Sequence, residues 1–172
     1  QLIEAHLARI ERVNPRLNAF SQIFDDQALA QSLAPPPGPL SGIPVTVKDS
    51  FDIAGFPTIC GNSTRTQAIA TTDANAVARL KAAGAIILGK TNVPDLVSSY
   101  ETDNYVTGLT RNPWNLDFTP GGSSGGEAAA IASCCSPGGI ASDGGGSIRI
   151  PAHFCGIAGF KPTHRRIGAG GM

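Results

Sequence analysis

The chain has 172 residues, a length that suits one ordinary domain rather than two large ones. Its 13 Lys and Arg residues balance its 13 Asp and Glu residues, and only 15% of residues are charged, which excludes a strongly basic protein that binds nucleic acid. A hydrophobic fraction of 41% excludes a disordered chain, and no apolar run reaches the roughly 20 residues of a membrane helix. We therefore expect a folded cytoplasmic protein with no membrane segment.

The first part of the chain combines a helix with a stiff connector. Apolar residues recur at helical spacing over residues 2–13, and the Asn-Pro pair that follows predicts the end of this amphipathic helix. The prolines within residues 35–39 indicate an extended connector. The short β-branched run at 43–47 then predicts a buried strand, which places Lys48 at a strand end.

Residues 84–91 match the phosphate-binding expression G-x-x-x-x-G-K-[ST] of NTPases letter for letter. The surrounding pattern argues against this function. Asp73 is predicted to cap a helix that ends at Gly84, and residues 85–88 predict an apolar, buried strand. A phosphate loop instead follows a strand and needs flexible positions between its glycines. A helix end followed by a core strand accounts for the same letters.

The last third of the chain is rich in glycine and alanine. Residues 127–135 predict a packed helix, and residues 139–143 predict a strand that leads into the glycines at 144–146. Pro151 favours the first turn of a short helix, after which residues 156–161 predict a returning strand. The whole pattern is that of an α/β fold with a largely buried β-sheet.

The cysteines give no indication of a metal site. None of them shows the C-x-x-C spacing of zinc or iron–sulfur proteins, and two adjacent cysteines are poorly placed to bind one metal ion. The four are Cys60, Cys134, Cys135 and Cys155. We expect buried thiols in a reducing compartment and no metal.

Residues 121–125 fit G-x-S-x-G, the nucleophile elbow of α/β-hydrolases, in which Ser123 would attack the substrate. Such enzymes need an acid and then a histidine further along the chain. Only His153 and His164 follow, and Asp143 comes too soon after Ser123 for the usual spacing. The elbow remains an alternative.

The second glycine cluster places Ser147 directly after three glycines. Unhindered backbone N–H groups beside a hydroxyl at a helix start have the composition of an oxyanion hole next to a nucleophile. Ser147 is therefore a candidate nucleophile. An ordinary turn with an N-capping serine explains the same local sequence, so the local pattern leaves both interpretations open.

Several separate motifs resemble those of the amidase signature family of serine hydrolases, which cleave carbon–nitrogen amide bonds. They lie at residues 42–49, 89–92, 110–115, 120–126, 143–149 and 159–163. The resemblance implies a mixed, largely buried β-sheet flanked by helices. It makes residues 1–172 one amidase signature domain, with a helix and Pro-rich connector at 1–39 and the signature core at 40–163.

The resemblance also implies roles for the residues at matching positions. Ser147 would attack the amide carbonyl and become acylated, Ser123 would follow a cis peptide bond and relay a proton, and Lys48 would be the base. The N–H groups of an oxyanion hole would come from Gly144, Gly145, Gly146 and Ser147. Supporting contacts would come from Ser124, Asp143 and Arg149. The family's chemistry implies no metal and no organic cofactor.

A lysine base makes a physical demand on its surroundings. With a reference pKa near 10.4, only about one lysine in 2,500 is neutral at pH 7, so the pKa of Lys48 has to fall by roughly three units. The apolar run 43–47 predicts burial of this strand end, and burial favours the neutral amine. A solvated strand end would show no such shift.

The chain departs from the family pattern in sequence and in length. Arg165 stands where the family has glycine, and Asp95 stands where it more often has Glu, but neither position belongs to the triad. The family domain is more than twice as long, so we expect the chain to be incomplete at its carboxyl end. Open sheet edges and uncovered apolar surface would favour association, which makes a homo-oligomer one expectation.

The resemblance implies an amidase that hydrolyses a small-molecule carboxylic amide to the acid plus ammonia or an amine. Two subclasses stay open: glutaminase subunits of tRNA-dependent amidotransferases, and fatty-acid amide hydrolases. The sequence shows no basic amphipathic helix, which favours a free-standing enzyme. A non-catalytic, truncated binding module is the alternative from another class, although it would not need Lys48, Ser123 and Ser147 together.

Overall fold

Four strands form one mixed sheet in the computed structural model, which describes all 172 residues. The strands are β1 (Phe20–Ile23), β2 (Pro44–Lys48), β3 (Ile86–Thr91) and β4 (Gly139–Ile140), in the spatial order β1-β3-β2-β4. β2 runs parallel to β3 and β4, whereas β1 runs antiparallel to β3. The mixed sheet implied by the family resemblance is therefore confirmed.

Five helices accompany the sheet: α1 (Leu2–Leu17), α2 (Asp25–Leu33), α3 (Asn75–Ala82), α4 (Gly125–Ala132) and α5 (Arg149–Cys155). Short 3-10 turns at Ser63–Arg65 and Asp95–Val97 lie in the long connections. None of the helices combines the length and the apolar character needed to cross a bilayer.

Both faces of the sheet are covered by apolar side chains. On β3, Ile86 and Leu88 belong to a core cluster shared with α1 and α4, whereas Ile87 belongs to a second cluster with Val45 and Val47 of β2. Successive side chains of a strand point to opposite faces, so these clusters lie on the two sides of the sheet. Every residue of β2 and β3 is buried, which confirms the largely buried sheet.

Helix α1 is longer than the sequence pattern predicts. It continues past Pro15 to Leu17, and Asn18 ends it in a left-handed conformation with its N–H on the carbonyl of Asn14 at 2.7 Å. Proline removes one N–H, but the burial of Leu17 in the core favours a further turn. The predicted end at residue 13 is wrong, and the short elements β1 and α2 that follow were not indicated by periodicity.

Helix α3 begins at Asn75 without the predicted cap. The carboxylate of Asp73 instead accepts the N–H of Ala54 at 2.8 Å and the amine of Lys81 at 2.7 Å, so it ties the preceding connection to the helix. Strand β3 is longer than the predicted strand and continues to Thr91, because its last residues pair with both β1 and β2.

The later elements are shorter than predicted. Helix α4 ends at Ala132, and β4 has only two residues because 141–143 already belong to the glycine loop. Residues 156–161 do not form the predicted strand, and Phe160 within them is 82% exposed rather than packed in a sheet. Helix α5 carries Pro151 in its first turn, as predicted.

The cysteines differ in exposure. Cys135 and Cys155 are buried, Cys60 is half-buried and Cys134 is exposed, and all four are free thiols. Cys134 lies two residues past the end of α4 and has a φ of 60°. The prediction that all four thiols are buried is therefore wrong for Cys134 and only partly met by Cys60.

Candidate active site

Lys48 is the last residue of the central strand β2. This strand lies between β3 and β4, and the Lys48 side chain has 0% exposure. Pro44 begins the strand, where a missing N–H costs no ladder hydrogen bond. The sequence therefore buries an amine at the end of a strand, as the apolar run predicts.

The Lys48 amine contacts hydroxyl groups and a carbonyl rather than a carboxylate. Its Nζ donates to Ser123 Oγ at 2.8 Å, to Ser142 Oγ at 3.0 Å and, more weakly, to the Ser142 carbonyl at 3.4 Å. Lys48 takes part in none of the chain's four ion pairs. An amine that is not directly paired with a carboxylate can lose its proton more easily.

Burial lowers the pKa of Lys48 to about 8, against the opposing charges of Asp143, Cys60 and Glu127. Roughly a tenth of such an amine is neutral at pH 7. The shift has the direction that a lysine base requires and most of the predicted size. A solvated strand end, the simpler interpretation of Lys48, does not account for it.

Ser123 lies in the loop that leads into α4, and the peptide bond between Gly122 and Ser123 is cis. Its side chain is buried. A Cβ at Gly122 would lie 2.8 Å from the carbonyl oxygen of Ser99, so this position requires glycine. Thr102 holds the same loop by donating from Oγ1 to the Gly121 carbonyl at 2.8 Å.

The loop before α5 is braced by Asp143, whose side chain is fully buried. Its carboxylate accepts the backbone N–H groups of Gly146, Ile148 and Arg149 at 2.7, 3.1 and 3.2 Å. It also accepts two hydrogen bonds from the Arg149 guanidinium, at 2.9 and 3.0 Å. The Arg149 contact, followed by the backbone donors, holds the pKa of Asp143 well below its usual range.

This bracing leaves three of the four expected oxyanion donors free. The N–H of Gly146 is occupied by Asp143. The N–H groups of Gly144, Gly145 and Ser147 donate no hydrogen bond within the chain, and the two glycines are exposed. Free N–H groups on one short loop can bind the negative oxygen of a reaction intermediate.

Ser147 lies beside the loop of Ser123 but forms no hydrogen bond with the Ser123 hydroxyl. The Ser147 carbonyl accepts the N–H of Ser124 at 3.2 Å, while its half-buried hydroxyl forms no hydrogen bond within the chain. The Ser124 hydroxyl donates to the Ser142 carbonyl at 3.4 Å and does not reach Ser123. The structure thus brings Lys48 and Ser123 into direct contact and places Ser147 next to them with its hydroxyl unengaged.

Sequence reasoning missed two residues at this site. Ser142 contacts the Lys48 amine, and Glu127 lies buried close enough to affect the pKa of Lys48. Ser142 precedes Asp143 directly, but a serine in a loop carries no distinctive signal. Glu127 does carry a signal, because it is the single charged residue of the Ala-rich run 127–135.

Two alternatives from the sequence do not fit this geometry. Lys90 of the NTPase-like motif is fully buried in an ion pair with Asp49 at 2.7 Å, so it cannot reach a phosphate. The elbow would require a histidine beside Ser123, but Ser123 is held by Lys48, and neither His153 nor His164 forms a side-chain hydrogen bond. Both alternatives are therefore rejected.

Comparison with known proteins agrees with the motifs. The amidase family model matches residues 1–172, the whole of the chain. The chain belongs to the amidase family.

Relatives of this amidase-family chain include a proposed amidase and a subunit of an amidotransferase. AmiB2 of Mycobacterium tuberculosis, whose name marks it as a proposed amidase, is 48% identical over 96% of the chain. A glutamyl-tRNA(Gln) amidotransferase subunit from Methylococcus capsulatus is 47% identical over 100% of it. In both cases the chain spans 37% of the relative's length.

Solved structures share the fold. Fatty acid amide hydrolase superposes with a TM-score of 0.95 at 32% identity, covering 99% of this chain and 32% of its own. The amidase signature fold is therefore confirmed for these residues, which correspond to about a third of that enzyme.

Proposed function

We propose that this chain carries the catalytic residues of an amidase that hydrolyses a carboxylic amide through an acyl-enzyme on Ser147. Ser123 and Lys48 would complete the triad. The observation that supports this most strongly is the buried Lys48 amine, which has no ion pair and lies 2.8 Å from the Ser123 hydroxyl. Such an amine is poised to accept a proton from a serine.

In the acylation step, Ser147 Oγ forms a bond to the amide carbon while its proton passes to Ser123 Oγ. The Ser123 proton passes at the same time to the neutral amine of Lys48. The carbonyl oxygen becomes negative and is bound by the free N–H groups of Gly144, Gly145 and Ser147.

Collapse of this intermediate breaks the carbon–nitrogen bond. The proton on Lys48 returns through Ser123 to the leaving nitrogen, which departs as ammonia or an amine. Water then attacks the acyl group on Ser147 with the same proton path, releasing the carboxylic acid and restoring the free hydroxyl. No proton or electron is left over, so the reaction needs no reactant other than the amide and water.

Two amidase classes are favoured by specific relatives. We propose a free-standing enzyme that acts on a small amide, in line with AmiB2. The second candidate is the glutaminase component of an amidotransferase, since the Methylococcus capsulatus relative is almost as similar at 47% identity. The two classes share the triad and differ in substrate and in dependence on a partner.

Ammonia release tests the proposal and separates the classes. The full-length protein would be assayed with glutamine and with simple aliphatic and aromatic primary amides. We expect release from at least one simple amide, lost in Ser147→Ala and retained in the matched variant Ser133→Ala, whose serine lies at the end of α4. Release from glutamine alone would favour the second class, and equal release by Ser147→Ala would contradict the proposal.

A further inference from the structure

We propose that Glu127 is a positioning residue for Lys48, because its buried carboxyl joins the two threonines that flank Lys48 on β2 and β3. The inference rests on the proposed function, in which Lys48 is the base. Glu127 itself does not reach the reacting atoms, since it forms no hydrogen bond with Lys48 or with any serine of the site.

The contacts of Glu127 cross the two central strands. Its Oε1 accepts from the Thr46 hydroxyl, and its Oε2 accepts from the Thr91 hydroxyl at 2.8 Å. Thr46 lies two residues before Lys48, on the same face of β2, and Thr91 is the partner of Lys48 in the parallel ladder. All of these side chains are buried. Through these hydrogen bonds, Glu127 ties helix α4 to the end of β2, from which the Lys48 amine contacts Ser123.

The packing of β4 leaves space for this carboxyl. A Cβ at Gly139 would lie 2.1 Å from Oε1 of Glu127 and 2.4 Å from the Thr46 carbonyl oxygen. Only glycine fits here without displacing one of them. Gly139 of β4 and the Glu127 carboxyl of α4 therefore pack together around Thr46.

The same contacts can serve either protonation state of Glu127. When the carboxylate is ionised, both threonine hydroxyls donate to it. When Oε2 carries a proton, it can donate to Thr91 Oγ1, whose own proton then turns to the Val47 carbonyl at 3.5 Å. A buried carboxyl that has hydrogen-bond partners in both protonation states can gain or lose a proton without moving.

Glu127 is also the group near Lys48 whose charge changes close to neutral pH. Burial raises the pKa of Glu127 to about 7, opposed by the threonines and by Lys48. Of the other groups that act on the pKa of Lys48, Asp143 stays ionised beside Arg149, and burial raises the pKa of the Cys60 thiol. Ionisation of Glu127 favours the charged amine, so it reduces the fraction of Lys48 that is neutral and able to accept a proton.

The direct test is the titration of the Lys48 amine, followed by carbon-13 NMR at Cε in full-length protein and assigned with Lys48→Met. Glu127→Gln keeps the size of the side chain but cannot ionise. We expect it to lower the pKa of Lys48 by about one unit, because a nearby negative charge is removed. The matched variant Ser133→Ala removes a buried hydroxyl from the end of α4 and leaves that pKa unchanged.

A second variant tests the hydrogen bonds between Glu127 and the two threonines. Thr91→Val removes one of the two contacts and keeps the carboxyl, and we expect labelling of Ser147 by a fluorophosphonate to slow about tenfold or more relative to Ser133→Ala, since small displacements of catalytic groups are costly. An unchanged Lys48 pKa in Glu127→Gln with normal labelling of Thr91→Val would overturn the inference. If the wild type is never labelled while the Lys48 titration still shifts, the influence of Glu127 stands and the proposed function fails.

Discussion

At the residue scale, the behaviour of Lys48 follows from a conflict between burial and charge. A charged amine without a carboxylate partner is costly in the protein interior, and the chain relieves this cost by favouring the neutral form. The hydroxyl groups of Ser123 and Ser142 accept hydrogen bonds from the amine at 2.8 and 3.0 Å and supply no negative charge. Burial of the amine therefore disfavours folding and at the same time lowers the pKa, as the proposed role of Lys48 as a base requires.

Replacing Lys48 by methionine separates these two effects. We expect Lys48→Met to lower the rate of amide hydrolysis by about 10²- to 10⁴-fold, the usual contribution of a general base. The free energy of unfolding at pH 7 should not fall, because the variant no longer buries an amine. Parallel measurement of kinetics and of urea unfolding checks both. A variant that loses stability as well as activity would mean that the amine is a structural contact.

The pKa of Lys48 also predicts a pH dependence. Since the amine is protonated below about 8, kcat/KM for an amide should rise with pH and level off above that value. In the unfolded chain the amine stays protonated to higher pH, so the native state binds fewer protons from about 8 up to the ordinary lysine range. This group therefore makes the protein more stable as pH rises through that window. A pH–rate profile that is flat between pH 6 and 9 would contradict the assignment of Lys48.

At the element scale, the site depends on how closely strands and helices approach one another. Gly139 of β4 faces the Glu127 carboxyl and the backbone of β2, whereas a Cβ at the preceding Gly138 would meet no atom within 4 Å. Both positions are glycine, but only Gly139 is tightly surrounded by other atoms, so the two form a matched pair. Their comparison reports how tightly β4 packs on the strand that carries Lys48.

We expect Gly139→Ala to lower the free energy of unfolding by roughly 1 to 3 kcal/mol, the usual cost of overpacking a core. The added methyl group has to displace the carboxyl of Glu127 or the strand β2. Gly138→Ala should stay close to the wild type, and thermal unfolding of the two variants measures the difference. Equal stabilities would show that β4 is too loosely held to position the site.

The elements that sequence could predict are those with a strong local signal. The helical spacing before residue 13 and the β-branched run at 43–47 led to α1 and β2, and the family motifs led to Lys48, Ser123 and Ser147. Strand β1 was missed because it has four residues and pairs with the distant β3. Ser142 was missed because its contact with Lys48 spans 94 residues, and only the folded sheet brings the two together.

At the scale of the whole molecule, large apolar side chains remain uncovered. Trp114 is 73% exposed and Phe160 is 82% exposed, and the sheet ends at β1 and β4 without a covering strand. Such surfaces favour contact with other protein. The chain also spans 37% of the length of the relatives it matches.

We therefore expect the 172-residue chain to associate with itself in solution. Light scattering coupled to size exclusion should give a mass that rises with concentration. A Trp114→Ser, Phe160→Ser double variant should associate less, because it removes two of the exposed aromatic side chains. A constant monomer mass for the unaltered chain would contradict this expectation.

The central claim is that Ser147 is the nucleophile and that Ser123 relays its proton. Intact-mass analysis after fluorophosphonate treatment tests this claim most directly. In the full-length protein we predict one adduct in the wild type and in Ser133→Ala, and none in Ser147→Ala. An adduct that survives in Ser147→Ala and disappears in Ser123→Ala would contradict the account and make Ser123 the nucleophile.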